Sequence, residues 1–129
     1  MKLDCKEISI SDDELGCTIE FSEEKEKYDL YIKSSVQKIL ASMKPYILLQ
    51  RSYGEDEFEE DYYYFETLDF DKAGALKDFT IDVYRKKILI TYNNEIFEIT
   101  IHAKDKMFEN LKTVLKKIAN KEGQLRIYE

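Results

Sequence analysis

Between Phe79 and Ile101 apolar residues return at every second position through three consecutive runs, and the breaks between the runs are polar. A side-chain period of two fits a strand and no helix, so this stretch predicts three antiparallel strands. Asn93-Asn94 tolerates the positive φ of a tight two-residue turn, which sets Tyr92 opposite Glu95, Ile90 opposite Phe97 and Ile88 opposite Ile99. A turn at Lys86-Lys87 sets Val83 beside Ile90 and Ile81 beside Tyr92. One face then collects Phe79, Ile81, Val83, Ile88, Ile90, Tyr92, Phe97, Ile99 and Ile101, and a slip of one residue would scatter that set over both faces.

Such a face must be covered, and the next segment has the pattern to cover it. Met107, Phe108, Leu111, Val114, Leu115 and Ile118 form one stripe of an amphipathic helix. Asp105 is the expected N-cap, Lys116, Lys117 and Lys121 suit the negative end of the helix dipole, and Gly123 suits a left-handed stop. Residues 124–128 alternate again as a last strand, with Leu125 and Ile127 inward.

The first half reads as a meander. Residues 7–10, 16–21 and 28–33 have strand character, and 46–52 (Tyr-Ile-Leu-Leu-Gln-Arg-Ser) has the continuous apolar run of a central strand. Residues 34–43, with Val36, Ile39, Leu40 and Met43 ahead of Pro45, suit a short helix but would tolerate a strand. The expectation is a single α+β domain over residues 1–129: an antiparallel sheet of about six to seven strands, a covering C-terminal helix and a possible second short helix. A chain of this length can bury roughly two thirds of its unfolded surface, so no disulfide or metal staple is needed.

Charge is spread unevenly. Residues 55–71 hold nine carboxylates (Glu55, Asp56, Glu57, Glu59, Glu60, Asp61, Glu66, Asp69 and Asp71) and no Lys or Arg. Taking those nine charges from the net −7 leaves +2 on everything else. A net negative chain repels a phosphate backbone, so direct nucleic-acid binding is not expected. The first residues are charged, with no apolar run of the length a signal peptide or membrane helix needs, which points to the cytoplasm and away from a membrane. Oligomeric state cannot be read from this pattern.

Catalytic and cofactor motifs are scarce. His102 is the only histidine, and neither Cys5 nor Cys17 has a motif that would pair it with His102 as nucleophile and base. The two cysteines lack CxxC spacing and a second pair for zinc. Gly16, Gly54, Gly74 and Gly123 lie too far apart for a phosphate-binding loop, and Gly54 precedes the acidic run where a calcium loop needs a glycine inside it. Paired acid-base carboxylates need one apolar and one polar pocket, whereas residues 55–61 read as fully solvated. The expectation is a protein without catalytic residues, cofactor or metal.

What remains is the acidic run leading into Tyr62-Tyr63-Tyr64-Phe65. Tyrosine offers contact area at little entropic cost, and carboxylates steer a basic partner. Strand alternation turns Tyr63 and Phe65 inward and Tyr62 and Tyr64 outward. Glu55, Asp56, Glu57, Phe58, Glu59, Glu60, Asp61, Tyr62 and Tyr64 are therefore the candidate partner-binding residues.

The order of these segments resembles the immunity proteins of bacterial polymorphic-toxin and contact-dependent growth inhibition systems. There, an apolar strand ending in Leu-Gln-Arg, here Leu49-Gln50-Arg51, leads through an acidic stretch to a Tyr-Tyr-x-Glu strand, here Tyr63-Tyr64-Phe65-Glu66. Strands with an Asn-containing turn, a Phe- and Leu-rich helix and a short last strand follow, matching Asn93-Asn94, Phe108-Glu109-Asn110-Leu111 and Leu125-Arg126-Ile127. The likeness spans residues 46–128; the first 45 residues depart from the pattern, and the acidic loop is shorter and lacks a glycine after the acidic run. It implies an inhibitor that binds and neutralises a cognate toxin domain, a basic nuclease being the leading type. It also brings in Gln50, Arg51 and Glu66 as binding or structural residues, Arg51 pairing with Glu66 or another carboxylate across the sheet. The contrasting reading is a non-catalytic adaptor that recruits a basic partner through its sheet edge or acidic loop.

Overall fold

The computed structural model describes residues 1–23, 45–68 and 72–128. In chain order these form β1 (Lys2–Asp4), β2 (Glu7–Asp13), β3 (Gly16–Ser22), β4 (Tyr46–Ser52), β5 (Tyr62–Thr67), β6 (Gly74–Ala75), β7 (Thr80–Tyr84), β8 (Lys87–Tyr92), β9 (Glu95–Thr100), helix α1 (Asp105–Ile118) and β10 (Leu125–Tyr128). The expected strand at 28–33 and short helix at 34–43 lie outside the described residues, as do Asp69 and Asp71.

The class is α+β, but the strands divide into two five-stranded sheets in place of one antiparallel sheet of six to seven. The order β2-β3-β4-β5-β6 is the antiparallel meander of the first half. The other sheet runs β1-β9-β8-β7-β10, antiparallel at its centre and parallel at both edges, where β1 lies beside β9 and β10 beside β7. Three residues in β1 and two in β6 are too few to mark an alternation, and alternation shows which face of a strand is buried but not which sheet the strand joins. Each sheet has one apolar face, and two such faces are buried most simply against each other.

Asn93 and Asn94 adopt φ of 52° and 62°, as a type I′ turn requires, and the β8–β9 register is the expected one. The β7–β8 register is not. The turn falls at Arg85-Lys86, so Ile81 faces Ile90 and Val83 faces Ile88, two residues from the expected pairing. A slip of two keeps every side chain on its original face, so hydrophobic alternation cannot detect it. The core set is accordingly intact: Ile81, Val83, Ile88, Ile90 and Ile99 are fully buried, and Tyr92 is half-buried.

Helix α1 departs from expectation at both ends. Lys104 is the N-cap and makes no side-chain capping bond; Asp105 is the first helical residue, where its carboxylate takes a 2.9 Å bond from Arg85. A negative charge in the first turn still suits the helix dipole. The helix ends at Ile118, while Gly123 (φ 82°) shapes the turn into β10. Buried Phe108, Leu111, Val114, Leu115 and Ile118 cover an arc of roughly 120°, which Lys112 and Ala119 widen further. That stripe joins a single core shared by both sheets, and the helix backbone lies closest to β2, β3 and β4, so α1 packs mainly on the first meander rather than on the β7–β9 face it was expected to cover. Elsewhere the sheets meet directly, with the Phe65 ring of β5 packed 4.8 Å from Tyr92 and 5.0 Å from Phe97.

Candidate partner interface

Ile47, Leu49 and Arg51 alternate along β4 toward the interior, level with Phe21, Ile19 and Cys17 on one side and Thr67, Phe65 and Tyr63 on the other. Arg51 is thus the last rung of the core-facing row, at the end where α1 finishes. Its Nε and Nη2 donate to Asp61 Oδ2 at 2.9 and 2.7 Å, and Nη1 donates to the Lys117 carbonyl at 2.7 Å. The guanidinium also lies over the Tyr53 and Tyr63 rings, 5.0 and 5.6 Å from their centroids. Every part of the side chain is therefore engaged: charge with charge, the free edge with an orphan carbonyl of the helix end, the flat faces with aromatic rings. The carboxylate expected opposite Arg51 was Glu66 or a neighbour, and it is Asp61.

Asp61 closes the base of the acidic loop. Its Oδ1 accepts from the Gly54 amide at 2.9 Å, and that amide together with Arg51 holds the carboxyl below its ordinary pKa. Gly54 is required by space, since a Cβ there would lie 2.0 Å from the Glu59 carbonyl oxygen. Within the loop, Asp56 Oδ1 accepts from the amides of Phe58 (2.8 Å) and Glu59 (3.1 Å), and Glu59 Oε2 accepts from the Glu55 amide (3.3 Å). This Asx turn raises Phe58 to 87% exposure, an unusual cost for a large apolar ring. Glu55, Asp56, Glu57, Glu59 and Glu60 are all exposed, and the carboxylates of Glu57 and Glu60 have no hydrogen bond or ion pair among the described residues.

The tyrosine strand divides as its alternation requires. Tyr63 turns inward, its hydroxyl accepting from Asn120 Nδ2 at 2.9 Å, and Phe65 is fully buried. Tyr62 and Tyr64 turn outward and stack, with centroids 6.3 Å apart. Only Tyr62 is freely exposed, because the half-buried Tyr64 donates to Glu66 Oε1 at 2.9 Å while Tyr46 donates to Glu66 Oε2 at 2.8 Å. Burial first, and Glu66 second, push the Tyr46 phenol up. Gln50 reaches Thr18 Oγ1 at 3.3 Å. The candidates thus fall into three groups: Glu57, Phe58, Glu60 and Tyr62 are displayed; Glu55, Asp56 and Glu59 shape the loop; Asp61, Tyr64, Gln50, Arg51 and Glu66 hold the sheet together. Beside the loop, a groove of about 600 Å³ opens between Glu60, Tyr62, Asp78 and Lys121.

Sequence reasoning passed over the turn joining β2 to β3. Asp13 Oδ1 accepts from the Leu15 and Gly16 amides at 2.8 and 3.3 Å, and the Tyr53 amide donates to the Leu15 carbonyl at 3.0 Å, tying this turn to the root of the acidic loop. Leu15 is 77% exposed. Asp13 before Gly16 marks a turn, but nothing in the sequence distinguishes a displayed leucine from a buried one.

The other reactive groups are occupied. His102 Nε2 lies 2.7 Å from Asp4 Oδ1, while Cys5 Sγ donates to the Glu7 carbonyl at 3.1 Å. Both cysteines are free and buried; burial pushes the Cys5 thiol up to about 11 and raises Cys17 as well. Among the described residues no group of three or more His, Cys, Asp or Glu is placed to hold a metal ion, and no helix is long and apolar enough to cross a membrane.

What the loop and turn can do chemically is present negative charge and two apolar side chains on a braced backbone. No family model, curated protein or solved structure matches the chain.

Proposed function

We propose that the protein is a non-catalytic, cytoplasmic immunity protein that binds and neutralises a cognate bacterial toxin domain, a basic nuclease in the leading case. The observation that carries this reading is Phe58, 87% exposed at the tip of a loop braced by Arg51, Asp61 and Gly54, with the carboxylates of Glu57 and Glu60, unpaired among the described residues, beside it. Carboxylates attract a basic partner over a distance of about one Debye length, and a desolvated aromatic ring then slows its release. A braced loop loses little conformational freedom on binding, so more of the contact energy appears as affinity. A purely solubilising loop would gain nothing from an exposed phenylalanine.

The test is co-expression with the product of the adjacent upstream gene, scoring growth rescue and co-purification. Rescue by the native chain, with loss of rescue in Phe58→Ser combined with Glu57→Lys and Glu60→Lys, is the expected result. If the chain neither rescues growth nor co-purifies, the immunity reading is abandoned.

A further inference from the structure

We infer that the contact surface is composite: the β2–β3 turn is its second half, and Leu15 and Phe58 act as paired apolar anchors for a basic protein that carries apolar residues among its cations. The inference rests on reading the acidic loop as a contact surface and goes on to specify its extent and the chemistry of its partner.

Size is the first argument. A stable interface takes about 20–30 residues a side, and loop 53–61 supplies nine. The neighbouring turn is the nearest available extension, and it is fixed there: Tyr53 bonds to Leu15, and a Cβ at Gly16 would lie 2.2 Å from the Arg51 carbonyl oxygen, so the turn is packed tightly onto β4. Exposure is the second. Leu15 at 77% and Phe58 at 87% are the two most exposed large apolar side chains among the described residues, and both sit on turns held by an aspartate-capped backbone. Single exposed apolar residues are ordinary on protein surfaces, but two on adjoining braced turns mark a place of contact.

Charge identifies the occupant. The turn adds Asp13 and Glu14 to the carboxylates of the loop, and neither segment contains Lys or Arg. A second copy of this acidic surface would be repelled, and so would the anionic headgroups of a membrane. A basic protein surface with apolar residues at its centre meets both features.

The full chain, labelled with 15N, can be titrated with a synthetic 18-residue helical peptide of lysine and leucine, following amide shifts in the native protein and in Leu15→Ser, Phe58→Ser and Glu122→Lys. Each serine variant keeps a native amide spectrum, because neither side chain is buried. Shifts are expected in both 13–16 and 54–60, with binding weakened at least fivefold by either serine substitution and unchanged by Glu122→Lys. Shifts confined to 54–60, with Leu15→Ser binding like the native chain, would overturn the composite surface while sparing the acidic loop. Absence of binding, or shifts elsewhere, would overturn both.

Discussion

Asp61 and Glu57 stand four residues apart in one acidic run, and the fold uses them in opposite ways. Asp61 has both oxygens engaged, by Arg51 and by the Gly54 amide, whereas Glu57 has no partner among the described residues. The difference comes from what lies opposite each. Asp61 immediately precedes β5, where the register sets Arg51 against Tyr63 and so brings a half-buried guanidinium within reach; Glu57 lies at the far end of the loop, beyond the last paired residues of β4 and β5. An acidic segment is therefore a fastened base carrying a displayed tip, and composition alone cannot divide the two.

The largest expected effect tests the base. Arg51→Met keeps most of the side-chain volume but removes the donors to Asp61 and to the Lys117 carbonyl. Hydrogen bonds to charged groups contribute about 1.5–3 kcal/mol, so a loss of about 2–3 kcal/mol is expected, lowering Tm by roughly 10 °C in a chain of this size. Thermal denaturation measures it; a variant that melts with the native chain would dissolve the distinction between base and tip. The same variant should expose Cys17, which sits opposite Arg51 in β3 and is 1% accessible in the native fold. With a thiol reagent at neutral pH, Cys17 should label faster in Arg51→Met than in the native chain, while Cys5, paired with neither residue, keeps its slow rate. Equal acceleration at both thiols would indicate global loosening in place of a local opening.

Asp61→Asn should have a smaller effect than Arg51→Met and a characteristic pH dependence. The Gly54 amide and Arg51 depress the Asp61 pKa in the folded chain from an ordinary value of 3.8. Below that value the unfolded chain takes up the proton more readily than the folded one. The stabilisation is thus complete above the unfolded pKa, and it is lost as pH falls from about 4 through the lower folded value. Urea midpoints measured from pH 6 down to pH 2.5 should fall less steeply for Asp61→Asn than for the native chain. Parallel slopes would assign the acid sensitivity to other carboxylates.

The contrast also marks how far a sequence can be read. The β8–β9 hairpin and the apolar stripe of α1 were legible because period-two and period-3.6 patterns are set by burial on one side, and burial dominates there. The inward Tyr63 and Phe65 and outward Tyr62 and Tyr64 followed from the same rule. The β7–β8 register was not legible, since a two-residue shift leaves the faces unchanged. Nor were the parallel edges, because Leu3 finds Ile99, and Leu125 finds Ile81, only after distant parts of the chain have come together. At the candidate site the sequence located the loop but not its fastening. Arg51 was expected to meet Glu66 or another carboxylate across the sheet; the partner is Asp61, since Glu66 points to the outer face, where Tyr46 and Tyr64 occupy it. Leu15 was invisible for a similar reason, its importance arising from a backbone bond to Tyr53, 38 residues away.

The smallest expected effect on stability comes from the tip. Glu57→Lys with Glu60→Lys changes the net charge from −7 to −3 and removes no hydrogen bond among the described residues. Surface substitutions of this kind shift stability by no more than about 0.5 kcal/mol, and here weaker repulsion among the loop carboxylates favours a slight gain. The double variant should accordingly melt within about 2 °C of the native chain. Asp61→Lys, the same change of charge at the base, would place an ammonium against Arg51 and should melt well below it. Were the double variant to fall as far as Asp61→Asn, the tip carboxylates would be structural too, and Phe58 would be the only displayed element of the loop.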